Sequence, residues 1–252
     1  MIVAENISKS YGDMPIIEDV SLTIERGSMT GIIGPNGAGK STLLAMISRL
    51  LPLEAGRVVL DGIDIAKGDD NALAKRLSIL RQDNHMTARL TVRDLVSFGR
   101  YPYSMGRLSA ADHEQIDKSL SFMGLNDLAG RFLDQLSGGQ RQRAFAAMVL
   151  CQDTDYILLD EPLNNLDMKN ARGMMQTLGV MCRDLGKTVV VVLHDINFAS
   201  WYCDRIIALK DGRLCQHGPT AQIMTTEALR NIYDMEIEVV DLGGKRTALY
   251  YG

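Results

Sequence analysis

Short apolar or alternating runs separated by turn residues fill the first third of the chain. Ile2–Ser8, Ile16–Ile24, Met29–Ile33 and Arg57–Leu60 predict strands, bounded by turns such as Tyr11-Gly12-Asp13 and Asp61-Gly62. The third run feeds a glycine-rich stretch, after which Leu43, Leu44, Ile47 and Leu51 recur at helical spacing. From about residue 86 to 151 the pattern turns helical. Ser109 with Asp112 predicts a capping-box start, Ile116, Leu120 and Met123 a buried stripe, and Gly124 an end. Gly138–Leu150 predicts a further helix opening on a Ser-Gly-Gly turn. From Tyr156 onward strands and helices alternate. Tyr156–Leu159 precedes a helix carrying Ala171, Met174, Met175, Leu178 and Met181, then come Thr188–Leu193, a short helix and Arg205–Lys210. Such alternation predicts a parallel sheet with crossover helices. Glu236–Asp241 and Arg246–Tyr251, flanking Leu242-Gly243-Gly244, predict a terminal hairpin.

Composition narrows the class of partner. At 252 residues the chain is long enough to bury a substantial core, and 46% hydrophobic with 23% charged residues is ordinary for a globular protein. The net charge is −4 and the signs are interspersed, so no electrostatic nucleic-acid footprint exists and no nucleic-acid partner is expected. No run approaches the roughly 18 apolar residues of a membrane span, and Met1-Ile2-Val3-Ala4-Glu5 lacks a signal-peptide pattern. A cytoplasmic chain is expected, with any membrane role supplied by a partner. Cys151, Cys182, Cys203 and Cys215 are widely spaced, which predicts reduced thiols rather than a disulfide framework or zinc site.

Five short motifs then carry the chemistry. Gly34 to Ser41 satisfies G-x-x-x-x-G-K-[ST] between a strand and a helix. Its glycines let backbone N–H groups curl around phosphate oxygens, and the helix adds its positive end. In that pattern Lys40 reaches the β- and γ-phosphates and the Ser41 hydroxyl ligates Mg²⁺. Asp160 and Glu161 end an apolar strand, at the edge where α/β sheets bind ligands; read alone, two acids there are a solvated strand end. Leu136-Ser137-Gly138-Gly139-Gln140 opens a helix whose N-terminus attracts anions, and read alone it is a capping turn. Gln82 after one apolar run and His194 after another are uninformative singly.

Taken in this order, the motifs resemble the ATP-binding subunits of ABC transporters, and the resemblance covers essentially the whole chain. It implies an α/β fold: a P-loop (RecA-like) parallel-sheet core, an antiparallel β subdomain and an α-helical subdomain at about 86–151, all in a single domain over 1–252 that ends in a hairpin at about 236–252. It implies ATP and Mg²⁺ as ligands. Gly34, Asn36, Gly37, Ala38, Gly39, Lys40, Ser41 and Thr42 would cradle the nucleotide, with Tyr11 stacked on adenine. Ser41, Gln82 and Asp160 would hold Mg²⁺, and Glu161, His194, Gln82 and Lys40 would serve hydrolysis. Ser137, Gly138, Gly139 and Gln140 would contact ATP on a second copy, and Asp167, in Asn165-Leu166-Asp167, would cross the interface of a head-to-tail homodimer. The implied partners are two transmembrane permease subunits and, indirectly, a substrate-binding protein, with the chain peripheral on the cytoplasmic face of the membrane.

Within the family, Phe98-Gly99-Arg100-Tyr101-Pro102-Tyr103, Arg141-Gln142-Arg143-Ala144-Phe145 and Glu161-Pro162-Leu163-Asn164-Asn165-Leu166-Asp167 resemble importers of iron–siderophore, haem and cobalamin complexes. Leu163-Asn164-Asn165 departs from the common Thr-Ser-Ala form and agrees with the siderophore branch. An ATPase coupled to iron–siderophore import is the expectation; a haem or cobalamin importer, or a soluble iron–sulfur assembly ATPase, is the alternative. Leu95, Val96, Phe98 and Tyr101, within 82–105, are expected to line a groove for a permease helix.

Overall fold

Strands buried along their whole length build the centre of the molecule. The computed structural model describes residues 1–82, 88–164 and 166–250. The chain opens with β1 (Ile2–Tyr11), β2 (Met14–Ile24) and the wholly buried β3 (Met29–Ile33), then α1 (Lys40–Ile47), β4 (Ala55–Leu60) and β5 (Ile63–Asp64). A short α2 (Asp70–Ala74) leads to β6 (Leu77–Leu80). Four helices follow: α3 (Val92–Ser97), α4 (Tyr101–Ser104), α5 (Ala110–Phe122) and α6 (Gly138–Cys151). Then β7 (Tyr156–Leu159), α7 (Met168–Leu185), β8 (Thr188–Val192), α8 (Ile196–Tyr202) and β9 (Arg205–Lys210) alternate. The chain closes with β10 (Arg213–Pro219), α9 (Thr220–Ile223), α10 (Thr226–Tyr233), β11 (Glu238–Leu242) and β12 (Lys245–Leu249).

The main sheet runs β10-β9-β3-β8-β7-β6; all neighbours are parallel except the edge pair β9–β10. A second, antiparallel sheet runs β2-β1-β4-β5, and β11–β12 form a hairpin. The mixed α/β class expected from the sequence is the class observed.

Period-two alternation splits the apolar strands between two cores. Ile157 and Leu159 of β7, with Val189 and Val191 of β8, face the helical layer with Met174, Met175 and Leu178 of α7. Tyr156 and Leu158, with Val190 and Val192, face the antiparallel sheet and Leu43, Leu44 and Ile47 of α1. The main sheet thus lies between two apolar layers, and the chain crosses between them at its strand ends. Three of the four cysteines are buried and all four are free thiols.

The observed elements differ from the expected ones at particular points. Leu51 lies beyond α1, which ends at Ile47 with Ser48 at its cap, although Leu51 still packs against the core. Leu95 and Val96 are fully buried among the helices, so they cannot line an exterior groove; Phe98 and Tyr101 beside them are exposed. The expected boundary at residue 86, and Asn165 and Tyr251, lie outside the described residues.

Candidate functional site

The loop between β3 and α1 is shaped by glycines that no other residue could replace. Gly34 has φ +144°, and a Cβ there would lie 2.1 Å from the carbonyl oxygen of Leu209 on β9. Gly39, at φ +92°, caps α1, and a Cβ on it would meet Ile17 at 2.7 Å. The loop is therefore pressed between the two sheets. Ala38 is buried beneath it, whereas Asn36 and Gly37 are exposed at its crest.

Lys40 is buried at the first position of α1, and its Nζ donates to the carbonyls of Gly34 and Pro35, both at 2.9 Å. Burial pushes its ionisation below the ordinary lysine range, opposed by the nearby carboxylates of Glu161 and Asp160. Ser41 Oγ donates to Asp160 Oδ1 at 2.8 Å, which joins the loop to the end of β7. Burial raises the Asp160 pKa, and the Ser41 hydrogen bond opposes that shift.

Glu161 is nearly buried, and three side chains from three segments converge on its carboxylate. Gln82 Nε2 donates to Oε2 at 2.7 Å, Asn164 Nδ2 donates to the same oxygen, and His194 Nε2 lies 2.7 Å from Oε1. Gln82 follows β6, Glu161 follows β7 and His194 follows β8, so three adjacent parallel strands deliver them to one sheet edge. Asn164 was not singled out from the sequence as a site residue. Its signal is a side-chain donor three residues after Glu161 within the turn that follows the strand.

Tyr11, at the end of β1, is more than half exposed. It shares a cleft of about 350 Å³ with Ser41, Thr42, Gln82 and Asp160. An aromatic face, a phosphate loop and hard oxygen donors therefore line one wall of space.

Ser137 and Gly138 are exposed and line no part of that cleft. Ser137 caps α6 in a reciprocal box with Gln140: its Oγ accepts from the Gln140 N–H, and Gln140 Oε1 accepts from the Ser137 N–H. Gly139 is buried, and a Cβ there would meet the Asn170 amide at 3.0 Å. Asn170 in turn donates to Asp167, the cap of α7, through both its backbone and side chain. The Ser-Gly-Gly turn is thus packed through Gly139 on the residue that Asp167 caps, while Ser137 and Gly138 stay exposed.

A phosphate loop joined to a strand-end carboxylate pair, on a mostly parallel sheet, defines a P-loop nucleotide-binding protein of the α/β class. The family model described as ABC transporter matches residues 17–164, more than half of the chain. The chain belongs to the ABC transporter family, as an ATP-binding, ATP-hydrolysing member. It is 51% identical over 251 residues to the petrobactin import ATP-binding protein YclP of Bacillus subtilis, covering all of both chains. It is 39% identical to the iron(3+)-hydroxamate import ATP-binding protein FhuC of Bacillus subtilis, over 94% of this chain and 88% of that one. A solved structure, the ATP-binding cassette MJ0796 as a post-hydrolysis dimer bound to ADP and Pi, superposes with a TM-score of 0.78. It is 33% identical, covering 87% of this chain and 99% of that one.

Proposed function

We propose that this chain is the ATP-hydrolysing subunit of an importer of iron(III)–siderophore complexes. It works as a head-to-tail pair of copies seated on two permease subunits at the cytoplasmic face of the membrane, supplied by a substrate-binding protein. The observation that carries the reading is 51% identity across the full length of a petrobactin import ATP-binding protein. No helix among the described residues is long and apolar enough to cross a membrane, so the pathway for the cargo belongs to other chains.

Each site residue then has a role. Tyr11 stacks on adenine, and the N–H groups of Gly34 to Thr42 surround the phosphates. Lys40 neutralises the β- and γ-phosphates. Ser41, Asp160 and Gln82 supply hard oxygen donors within one cleft, the donor set that suits Mg²⁺ together with nucleotide oxygens. When bound, the ion would neutralise charge developing on the transferred phosphoryl group. Glu161 orients and deprotonates the attacking water, and His194 contacts the terminal phosphate. Ser137, Gly138, Gly139 and Gln140 reach the nucleotide held by the second copy, placing the positive end of α6 on it. Asp167 lies at the junction between the copies. Exposed Phe98 and Tyr101 face the permease helix, while Leu95 and Val96 hold the arm together beneath them. Closure of the pair on two ATP molecules pulls the permeases, and hydrolysis releases them.

The test is uptake of iron-labelled siderophores by cells whose only copy carries Glu161→Gln. The variant is expected to bind ATP, to hydrolyse it about 10²–10⁴-fold more slowly, and to lose uptake of one siderophore class. Normal uptake of every iron chelate, alongside lost haem or cobalamin uptake, would move the cargo to another branch. An unchanged hydrolysis rate would remove Glu161 from its role.

A further inference from the structure

The C-terminal helix α10 places a buried hydroxyl beside the phosphate loop. Leu229 and Ile232 anchor the helix in the core. At its far end, Lys210 Nζ of β9 donates to the Asn231 carbonyl at 2.7 Å and to the Asp234 carboxylate at 2.6 Å. Tyr233 is the last residue of that helix and is held by both attachments. Its ring lines a cleft with Gly34, Pro35, Asn36 and His194. The helix, β9 and the loop are packed side by side, because Gly34 leaves no room for a Cβ against the carbonyl of Leu209, the residue before Lys210.

The Tyr233 hydroxyl oxygen is buried and has no full hydrogen bond among the described residues. A phenol both donates and accepts, so its capacity here is unused. The Gly34 backbone bears on its oxygen, as do, at longer range, the charge of Asp195 next to His194 and Tyr250. Burial raises its ionisation well above the ordinary tyrosine range, so it remains a protonated donor at every working pH. A buried hydroxyl left without a partner is unfavourable, and here it sits at the junction of the two segments that must align on the terminal phosphate.

We propose that Tyr233 is a positioning residue for hydrolysis: its hydroxyl bridges the Gly34 end of the phosphate loop and the His194–Asp195 turn when the site closes on ATP. Through it the C-terminal helix, which lies outside the region matched by the family model, sets the alignment of loop and histidine. This rests on the ATPase reading above. Tyr233 touches neither the adenine cleft nor the Glu161 carboxylate, so its effect belongs to turnover and not to nucleotide affinity.

The experiment compares purified full-length wild type, Tyr233→Phe, Tyr233→Ala and Glu161→Gln for ATP turnover, binding of a fluorescent ATP analogue and melting temperature. Tyr233→Phe keeps the ring, so its melting temperature and nucleotide Kd are expected to match wild type. Its kcat is expected to fall about tenfold from misalignment of the reacting groups, equally at every pH from about 6 to 9, since the phenol does not ionise there. Tyr233→Ala is expected to lose stability as well. A Tyr233→Phe enzyme with wild-type kcat would overturn the proposal and leave the ring as packing only. A tenfold fall matched by a tenfold weaker Kd would also overturn it, by making the hydroxyl part of nucleotide binding. Wild-type turnover abolished by Glu161→Gln keeps the ATPase reading standing even when Tyr233→Phe behaves as wild type, whereas absent wild-type turnover overturns both.

Discussion

Glu161 sits at φ +50°. Most other non-glycine residues with positive φ, such as Asn6, Asp61, Asp153 and Asp211, are Asn or Asp, whose short side chains tolerate that conformation. Glutamate has no such ease, and the strain is of the order of 1–3 kcal/mol. The three side chains gripping its carboxylate, together with the buried strand before it, keep it there. The strain lies on the residue proposed to handle the water, which is where stored strain tends to be found. At the opposite end of the nucleotide cleft, Tyr11 contributes only an exposed ring. Tyr11→Ala is expected to weaken ATP binding by about 1–3 kcal/mol while leaving kcat within about twofold, as read by a nucleotide titration beside steady-state turnover. Loss of turnover with unchanged affinity would exclude adenine stacking.

Among the elements, α5 shows how an end is fixed. Asp112 accepts from the Ser109 backbone and hydroxyl and from Arg100 Nε at 2.9 Å, and Arg100 also donates to the Cys151 carbonyl ending α6. One carboxylate thus joins a helix cap to the neighbouring helix, and both members of the ion pair are nearly buried. These partners, the Ser109 N–H and hydroxyl foremost, lower its pKa to about 2. A depressed carboxylate pKa contributes stability above the unfolded value near 4. That contribution is lost as pH falls from about 4 towards 2. Asp112→Ala is expected to cost about 3 kcal/mol by stranding Arg100, measured by urea unfolding at neutral pH, and to narrow its deficit at acid pH. A deficit that persists unchanged at acid pH would argue against the ion pair.

The same element displays what a sequence exposes. The Ser109–Asp112 spacing is a local signal and it specifies that cap by itself. The buried strands are legible because apolar runs of four to six residues bounded by turns leave few alternatives. β10 is not, because the polar Arg213, Gln216 and His217 follow no strand period and the segment ends in Gly218-Pro219. It becomes a strand only by pairing with β9 across the Asp211-Gly212 turn. Helices α9 and α10 went unread for a related reason: they are short, and their buried residues, such as Leu229 and Ile232, find their core only once the main sheet exists. The candidate site divides along the same line. Most of its motifs are contiguous strings and the Asn164 contact with Glu161 is equally local, whereas the place of Tyr233 beside the phosphate loop arises from tertiary packing.

For the whole molecule, the proposed function places the exposed turn at Ser137 and Gly138 at the junction between two copies. In the proposed pair a nucleotide on one copy is completed by the α6 terminus of the other, so two different inactive chains should repair each other. Lys40→Ala lacks its own phosphate grip, and Ser137→Arg blocks the turn it offers its neighbour. Mixed in equal amounts, they form pairs containing one intact composite site. Turnover is expected to recover to about a quarter of wild type, the share a random two-fold pairing leaves intact. No recovery, with both variants folded, would place the signature turn on its own chain's nucleotide.

Gln82, Asn164 and His194 occupy the Glu161 carboxylate. The acid is therefore held in one orientation before any nucleotide arrives. In the proposed reaction, loading a nucleotide means exchanging these side-chain contacts for water and phosphate, so the acid enters turnover from a held position and not from free rotation.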